Sequence, residues 1–433
     1  MAPVGGVVSR SKVEVPTMAM NVQPIASVSD RINEVRLLTA SIVNQEILPN
    51  ENMLWADHRS GHLTETDREE ARALRSGVRA KVREAGLWAP HLPEEYGGAG
   101  LDFLELAYMK EVLAYAVGAS SLFGVMAPNS GNQSILVRYG TEEQKRRWLL
   151  PMIEGHMQSG FSMTEPDQPG SDPRSLRTTA RRDGDEWVIN GHKWFTSNGM
   201  KADFFIVMCR TGDGDGEAGR NSRMTQIIVP SDTDGVEILR GIGVWGRSSD
   251  HCEIVYDNVR VPVENQLGET GTGHQAAQDR LGAGRIYHCM NSIGQMWRAF
   301  DLMVERAAER TVHGGVLESK QFVQGFVADS YMDISAARLM TINCAEKMRD
   351  GSYPRTDISA IKVFVPAAYE RVVDRAIQVW GAAGITDDLP LAAMYQTARS
   401  LRIIDGPDEV HRILIAKNVS GHHRSGATWD FGN

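Results

Sequence analysis

The segment Phe161 to Asp172, FSMTEPDQPGSD, concentrates hydroxyls and backbone amides around Pro166, Pro169 and Gly170. Such a run can hydrogen-bond the edge of a polar heteroaromatic ring or a phosphate without adding charge, although by composition alone it reads as a loop. Other candidate motifs carry less. GIGVWG, residues 241–246, has the glycine spacing of a dinucleotide fingerprint. RSSDHCEIVYD follows it where a phosphate-facing helix would have to open, so a tight turn among strands is expected. Ser359 and Lys362 form an S-x-x-K pair on a helical pattern, without the partner motifs of serine acylases. His422 and His423 are adjacent, whereas ligands on one helix face need a spacing of three or four, so no metal site is expected. Asp405-Gly406-Pro407 reads locally as a turn. Cys209, Cys252, Cys289 and Cys344 stand far apart with no CxxC pair, which argues against a zinc ribbon or disulfide framework and suits a reducing compartment.

The chain that must position these groups has 433 residues, 42% apolar and 23% charged, an ordinary globular composition with room for several domains. Its net charge is −9 and no basic run exceeds Lys145 to Arg147, so nucleic acid is not an expected partner. No window approaches the roughly 18 apolar residues of a membrane span. Residues 1–27 lack an apolar core and an Arg-rich amphipathic pattern, and read as a flexible arm rather than a targeting signal. Helical spacing begins with Ile32, Val35, Leu38 and Ile42. It continues from a capping box at Thr66 and Glu69 through Leu74, Val78 and Val82 to a stop at Gly86, and a second box pairs Thr141 with Gln144. After Gly160 the period becomes two, with strand runs EWVING, KWFTSN, FFIVMCR, TQIIVP, VEILR and HCEIVYDNVRVP. Asn190-Gly191 predicts a hairpin turn between Trp187-Val188-Ile189 and Lys193-Trp194-Phe195. Helical spacing returns from about Gly273, most clearly at Ile361, Val365, Ala368, Val372, Ala376 and Val379 behind Asp357 as N-cap. The expected organisation is α+β: an N-terminal helical domain over 28–157, a middle β-barrel-like domain over 158–270, a C-terminal four-helix bundle over 271–421, and a flexible tail over 422–433.

In this order, FSMTEPDQPGSD, DEWVINGHKWFTSNG, GRSSDHCEIVYDNVRVPVENQLGETGTG, the pair AERTVHGG and AIQVWGAAG, and RIIDGPDEVHR resemble the motifs of the acyl-CoA dehydrogenase family. The likeness runs from about Ser29 to Ser420 and is nearest to the subgroup of family members ten and eleven, where Asp-Gly-Pro occurs in the last motif. It implies FAD and an acyl-CoA thioester at the domain junction, with α,β-dehydrogenation by proton loss from Cα and hydride loss from Cβ. Asp405 stands at the position of the catalytic base, one methylene shorter than the Glu of many members. The resemblance further implies FAD contacts by Phe161, Met163, Thr164, Gly170, Ser171, Phe195 and Ser197. Arg310, His313, Gln378 and Gly381 would reach FAD across a subunit interface, and Pro407 and Glu409 would lie near its adenosine. Phe195 replaces a more usual Trp, and His313 a more usual Phe. Arg285 and Gly406 are implied on the substrate side. A homodimer or homotetramer, an electron-transfer flavoprotein as electron acceptor, and a cytoplasmic or mitochondrial-matrix location complete the expectation. The alternatives are an acyl-CoA oxidase on the same fold and a non-catalytic flavin- or CoA-binding assembly subunit.

Overall fold

The computed structural model describes residues 19–55, 64–212, 224–349 and 352–428. The helical first third contains α1 (Asp30–Ile42), α2 (Glu65–Glu84), α3 (Phe103–Leu113) and α4 (Asn129–Tyr139) as its longer helices. α1 buries Ile32, Val35 and Ile42 as spaced, but Leu38 faces outward. α2 begins two residues before the expected box: Thr64 is the N-cap, its oxygen accepting from the Asp67 amide at 3.1 Å while the Asp67 carboxylate returns to the Thr64 amide. Thr64 comes first in the chain and satisfies the orphan amide, so the helix starts there. The Thr141 and Gln144 box forms as read. Residues 1–18 lie outside the described part. Met20 exchanges hydrogen bonds with the Asn44 side chain and the Gln23 carbonyl accepts from Arg36, so the expected loose arm is tied to α1 and its continuation from Met20 onward.

The middle third is one eight-stranded sheet of β1 (Ser159–Ser162), β2 (Thr179–Asp183), β3 (Glu186–Thr196), β4 (Phe204–Arg210), β5 (Met224–Pro230), β6 (Val236–Gly241), β7 (Cys252–Pro262) and β8 (Gln266–Leu267). β4 is buried on both faces, which explains its unbroken apolar run. Phe204, Ile206 and Met208 pack toward Ile135, Leu136, Trp148 and Leu149, while Phe205, Val207 and Cys209 join Ile227, Ile254 and Tyr256 on the other side. The expected hairpin at Asn190-Gly191 does not form. β3 runs straight through it with a register shift against β7, and the hairpin falls instead at Gly184-Asp185, where Asp183 pairs with Glu186. Gly184 has the positive φ of 62° that the turn needs. Gly191 is required for room: a Cβ there would meet the Thr178 side chain at 2.3–2.6 Å. The stretch 241–246 holds a turn rather than a helix start, as read: Gly241 ends β6, and Trp245-Gly246 turn between Val244 and Arg247, which are bonded to each other.

The last third is built on α5 (Gly273–Glu309), α6 (Gln321–Arg349) and α7 (Arg355–Trp380), followed by α8 (Leu391–Leu401) and α9 (Asp408–Arg424). The Lys347–Asp357 and Arg375–Asp333 pairs show α6 and α7 antiparallel, whereas Tyr369 with Gln295 and Trp380 with Leu302 show α5 and α7 parallel. α7 starts at Arg355 behind Pro354, so Asp357 lies in the first turn and pairs with Lys347 rather than capping. α9 continues through His422 and His423 to Arg424, past the expected start of the tail. No helix among the described residues is long and apolar enough to cross a membrane.

Candidate active site

β1 and β2 occupy one lane of the sheet. Both run parallel to β4, β1 at Phe204 to Val207 and β2 at Arg210, and both adjoin β3, β1 by the Phe161–Ser197 bridge and β2 by its hairpin. Between Ser162 and Thr179 the chain leaves the lane and returns to it. That excursion holds Met163, Thr164, Gly170 and Ser171. The bridge puts Phe161 beside Ser197, and the Trp194 amide donates to the Thr164 carbonyl at 3.0 Å, so the first three expected positions and the end of β3 form one patch. Phe195 stands there at φ 49° with 41% of its surface exposed, and its ring lies 5.0 Å from that of Trp194. Ser171 is exposed farther along, and a Cβ at Gly170 would come within 3.3 Å of the Thr164 methyl.

Asp405 occupies the turn between α8 and α9 at φ 55°, a left-handed conformation that costs a non-glycine residue roughly 1–3 kcal/mol and needs support from its surroundings. The support comes from three helices. Arg285 on α5 donates from Nε to the Asp405 carbonyl at 2.9 Å. One turn on, His288 Nε2 stands 3.3 Å from Asp405 Oδ2. Lys362 on α7 is wholly buried and donates to the carbonyls of Leu401 and Gly406. His411 on α9 stands 3.3 Å from the same Asp405 carbonyl through Nε2 and 3.1 Å from Ser359 Oγ through Nδ1, which sets Nε2 as the protonated nitrogen because a carbonyl only accepts. Burial and the nearby Arg285 push His411 down to about 4. A Cβ at Gly406 would lie 2.9 Å from His411 Nε2, so glycine keeps the imidazole in place.

The Asp405 side chain is 22% exposed and therefore reachable, not sealed in the core. Burial works against its charge, but His288, Arg280 and Arg285 prevail and hold it well below the usual carboxylate range. Arg280 connects the two halves of the site. Its guanidinium carbon lies 4.1 Å over the Phe161 ring, in space that Gly131 on α4 leaves open. Arg280, His288, Lys362 and His411 were missed in the sequence; the S-x-x-K pair and the His of DEVHR were their only traces.

Of the remaining expected residues, four lie far from Asp405 and two follow it closely in the chain. Arg310 ends α5, His313 (φ 46°) turns the short hairpin of β9 (Thr311–Val312) and β10 (Gly315–Val316), and Gln378 and Gly381 end α7. All four are exposed at the same end of the bundle. At about 1.5 Å per residue, Arg310 is roughly 33 Å along α5 from His288, so it cannot join Asp405 in one site of a single chain. Pro407 caps α9 without a side-chain bond and Glu409 is exposed on its first turn.

An isoalloxazine has an apolar face and an edge rich in acceptors. The patch offers the exposed Phe195 ring and, at Trp194 Nε1 and Arg280 Nε, buried donors with no partner, a set that fits such a group. A sheet so equipped between two helical layers is that of an FAD-dependent oxidoreductase. The chain belongs to the acyl-CoA dehydrogenase family, whose N-terminal, middle and C-terminal domains match residues 34–156, 160–259 and 271–420. It is similar to FadE2 of Mycobacterium tuberculosis, named an acyl-CoA dehydrogenase, with 42% identity over 80% of this chain and 86% of that one. Mouse acyl-CoA dehydrogenase family member 10 is 39% identical over 87% of this chain, but over only 36% of its own length. This chain thus spans about a third of that protein, and about half of the family member 11 proteins that it also matches. A solved structure from Mycobacterium abscessus assigned to the acyl-CoA dehydrogenases has 34% identity and a TM-score of 0.85 over 91% of this chain and 99% of that one. The resemblance to family members ten and eleven is borne out.

Proposed function

We propose that this enzyme desaturates an acyl-CoA thioester between Cα and Cβ, with Asp405 as the general base. The observation that carries the reading is Arg280, which lies over Phe161 at the end of β1 and acts on the charge of Asp405, so the strand end that opens the excursion and the carboxylate lie on either side of one guanidinium. His288 engages Oδ2, leaving Oδ1 to take the Cα proton. Arg285 and Lys362 hold the backbone of the turn so that Oδ1 keeps its aim. Phe161, Met163, Thr164, Gly170, Ser171, Phe195 and Ser197 would hold FAD, and Arg285 and Gly406 would border the thioester. Bound FAD supplies the hydride acceptor. Arg310, His313, Gln378 and Gly381 would serve the FAD of a second copy, a reading supported by their distance from Asp405 and by their common exposure. An electron-transferring flavoprotein is the proposed acceptor of the electrons.

The test is anaerobic addition of acyl-CoA thioesters to the yellow protein. Bleaching of the flavin absorbance is expected, and a spectrum that no thioester changes would contradict the reading. Reduced flavin that returns rapidly in air with formation of peroxide would make the enzyme an oxidase.

A further inference from the structure

The excursion from the sheet is closed at its neck by a buried ion pair that the chemistry above does not use. Glu165 accepts from the Thr178 amide at 2.8 Å, the Thr178 hydroxyl at 2.7 Å, the Arg177 amide at 2.7 Å and Lys193 Nζ at 2.9 Å. Lys193, with no exposed surface, also donates to the Met163 carbonyl at 2.7 Å. Glu165 thereby ties the returning strand, and Lys193 the departing one. Burial disfavours both charges, yet the Lys193 ammonium and the Thr178 and Arg177 donors keep Glu165 below the ordinary carboxylate value. Such a pair adds little net stability over apolar residues of the same volume, so its consequence is geometric.

The geometry follows from the planar trans peptide. With the Met163 carbonyl turned to Lys193, the Thr164 N–H must point the opposite way, out of the sheet interior. The Thr164 carbonyl is fixed in turn by the Trp194 amide. The Thr164 N–H itself donates to no described protein atom. A cation on the carbonyl of an amide polarises it and strengthens its N–H as a donor.

We infer that Lys193, held by Glu165, is a positioning residue for the flavin: its grip on the Met163 carbonyl aims the free Thr164 N–H at an acceptor on the ring. The inference rests on the proposed reading that the excursion contacts FAD. A donor strengthened in this way favours the more electron-rich reduced flavin over the oxidised one.

The experiment uses the full chain with Lys193→Met and Glu165→Gln, each stripped of FAD and retitrated, with the flavin midpoint potential measured alongside. Lys193→Met is expected to weaken FAD binding, and to weaken that of the reduced form about tenfold more than that of the oxidised form. That difference lowers the potential by ~30 mV for a two-electron couple. Glu165→Gln removes the carboxylate that opposes the burial of the Lys193 charge and so weakens the ammonium's hold on the Met163 carbonyl; it is expected to shift the potential in the same direction by less, and it serves alone if Lys193→Met does not fold. Weaker binding with an unmoved potential would assign the pair to loop stability only and overturn the inference. Ser171→Ala, an exposed position within the excursion, separates the two readings: if it binds FAD like the wild type, the excursion does not contact FAD. If it weakens FAD while the Lys193 and Glu165 variants leave the potential unmoved, the positioning role alone is lost.

Discussion

His288 Nε2 stands 3.3 Å from Asp405 Oδ2, one helical turn from the Arg285 guanidinium that holds the carbonyl of the same aspartate. One face of α5 therefore grips both ends of the residue. Because Asp405 lies below its ordinary value, it is ionised at neutral pH and ready to take a proton, at some cost in basicity. His288→Gln removes the imidazole that does most to hold Asp405 down, so the carboxyl is expected to titrate higher. The acid limb of the rate of flavin reduction is expected at higher pH in the variant than in the wild type, and an unchanged limb would contradict the pairing. The stability contribution has the same sign. It is present above the unfolded value of about 3.9 and is lost as pH falls through the native one, so the acid unfolding of His288→Gln begins at higher pH.

Lys362 supports the turn from below. Lys362→Met leaves the Leu401 and Gly406 carbonyls without their buried donor, which costs about 1–3 kcal/mol. Thermal unfolding and flavin-reduction rates should both fall, the second because the turn carries Asp405. A variant with unchanged melting temperature would show that the ammonium does not hold the turn.

Gly191→Ala tests the straight course of β3. The added methyl would meet the Thr178 side chain, which also donates to Glu165, so a loss of about 1–3 kcal/mol is expected together with weaker FAD retention. Calorimetry of the apoprotein and of the FAD-loaded protein checks the two separately. Wild-type values for both would argue against the close approach.

Arg310→Ala tests the second set of residues. If the far end of α5 serves the FAD of a neighbouring copy, FAD retention and the assembly size on gel filtration should decrease together. Unchanged absorbance and elution would remove Arg310 from the cofactor's surroundings.

Much of this architecture was legible in the sequence because burial on one face imposes a period. The 3.6-residue repeat of Ile361, Val365, Ala368 and Val372 gave α7, and the apolar run of FFIVMCR gave a strand covered on both faces. Local signals misled where tertiary contact overrode them. Asn190-Gly191 has the chemistry of a turn, but Asn190 Oδ1 accepts from the Asn258 amide across the sheet and the glycine makes room for Thr178. Asp405 was legible only through motif order, because a D-G-P turn says nothing of what surrounds it. Its supports come from Arg280, Arg285 and His288 on α5, Lys362 on α7 and His411 on α9, brought together by packing that no short spacing encodes.

The central claim is that Asp405 removes the substrate proton, and rapid mixing of Asp405→Asn with an acyl-CoA thioester tests it most directly. The amide keeps the size of the side chain and the backbone hydrogen bonds, so FAD should be retained while flavin reduction slows at least about a hundredfold. Reduction at the wild-type rate in a variant that holds its FAD would assign the proton transfer to another group.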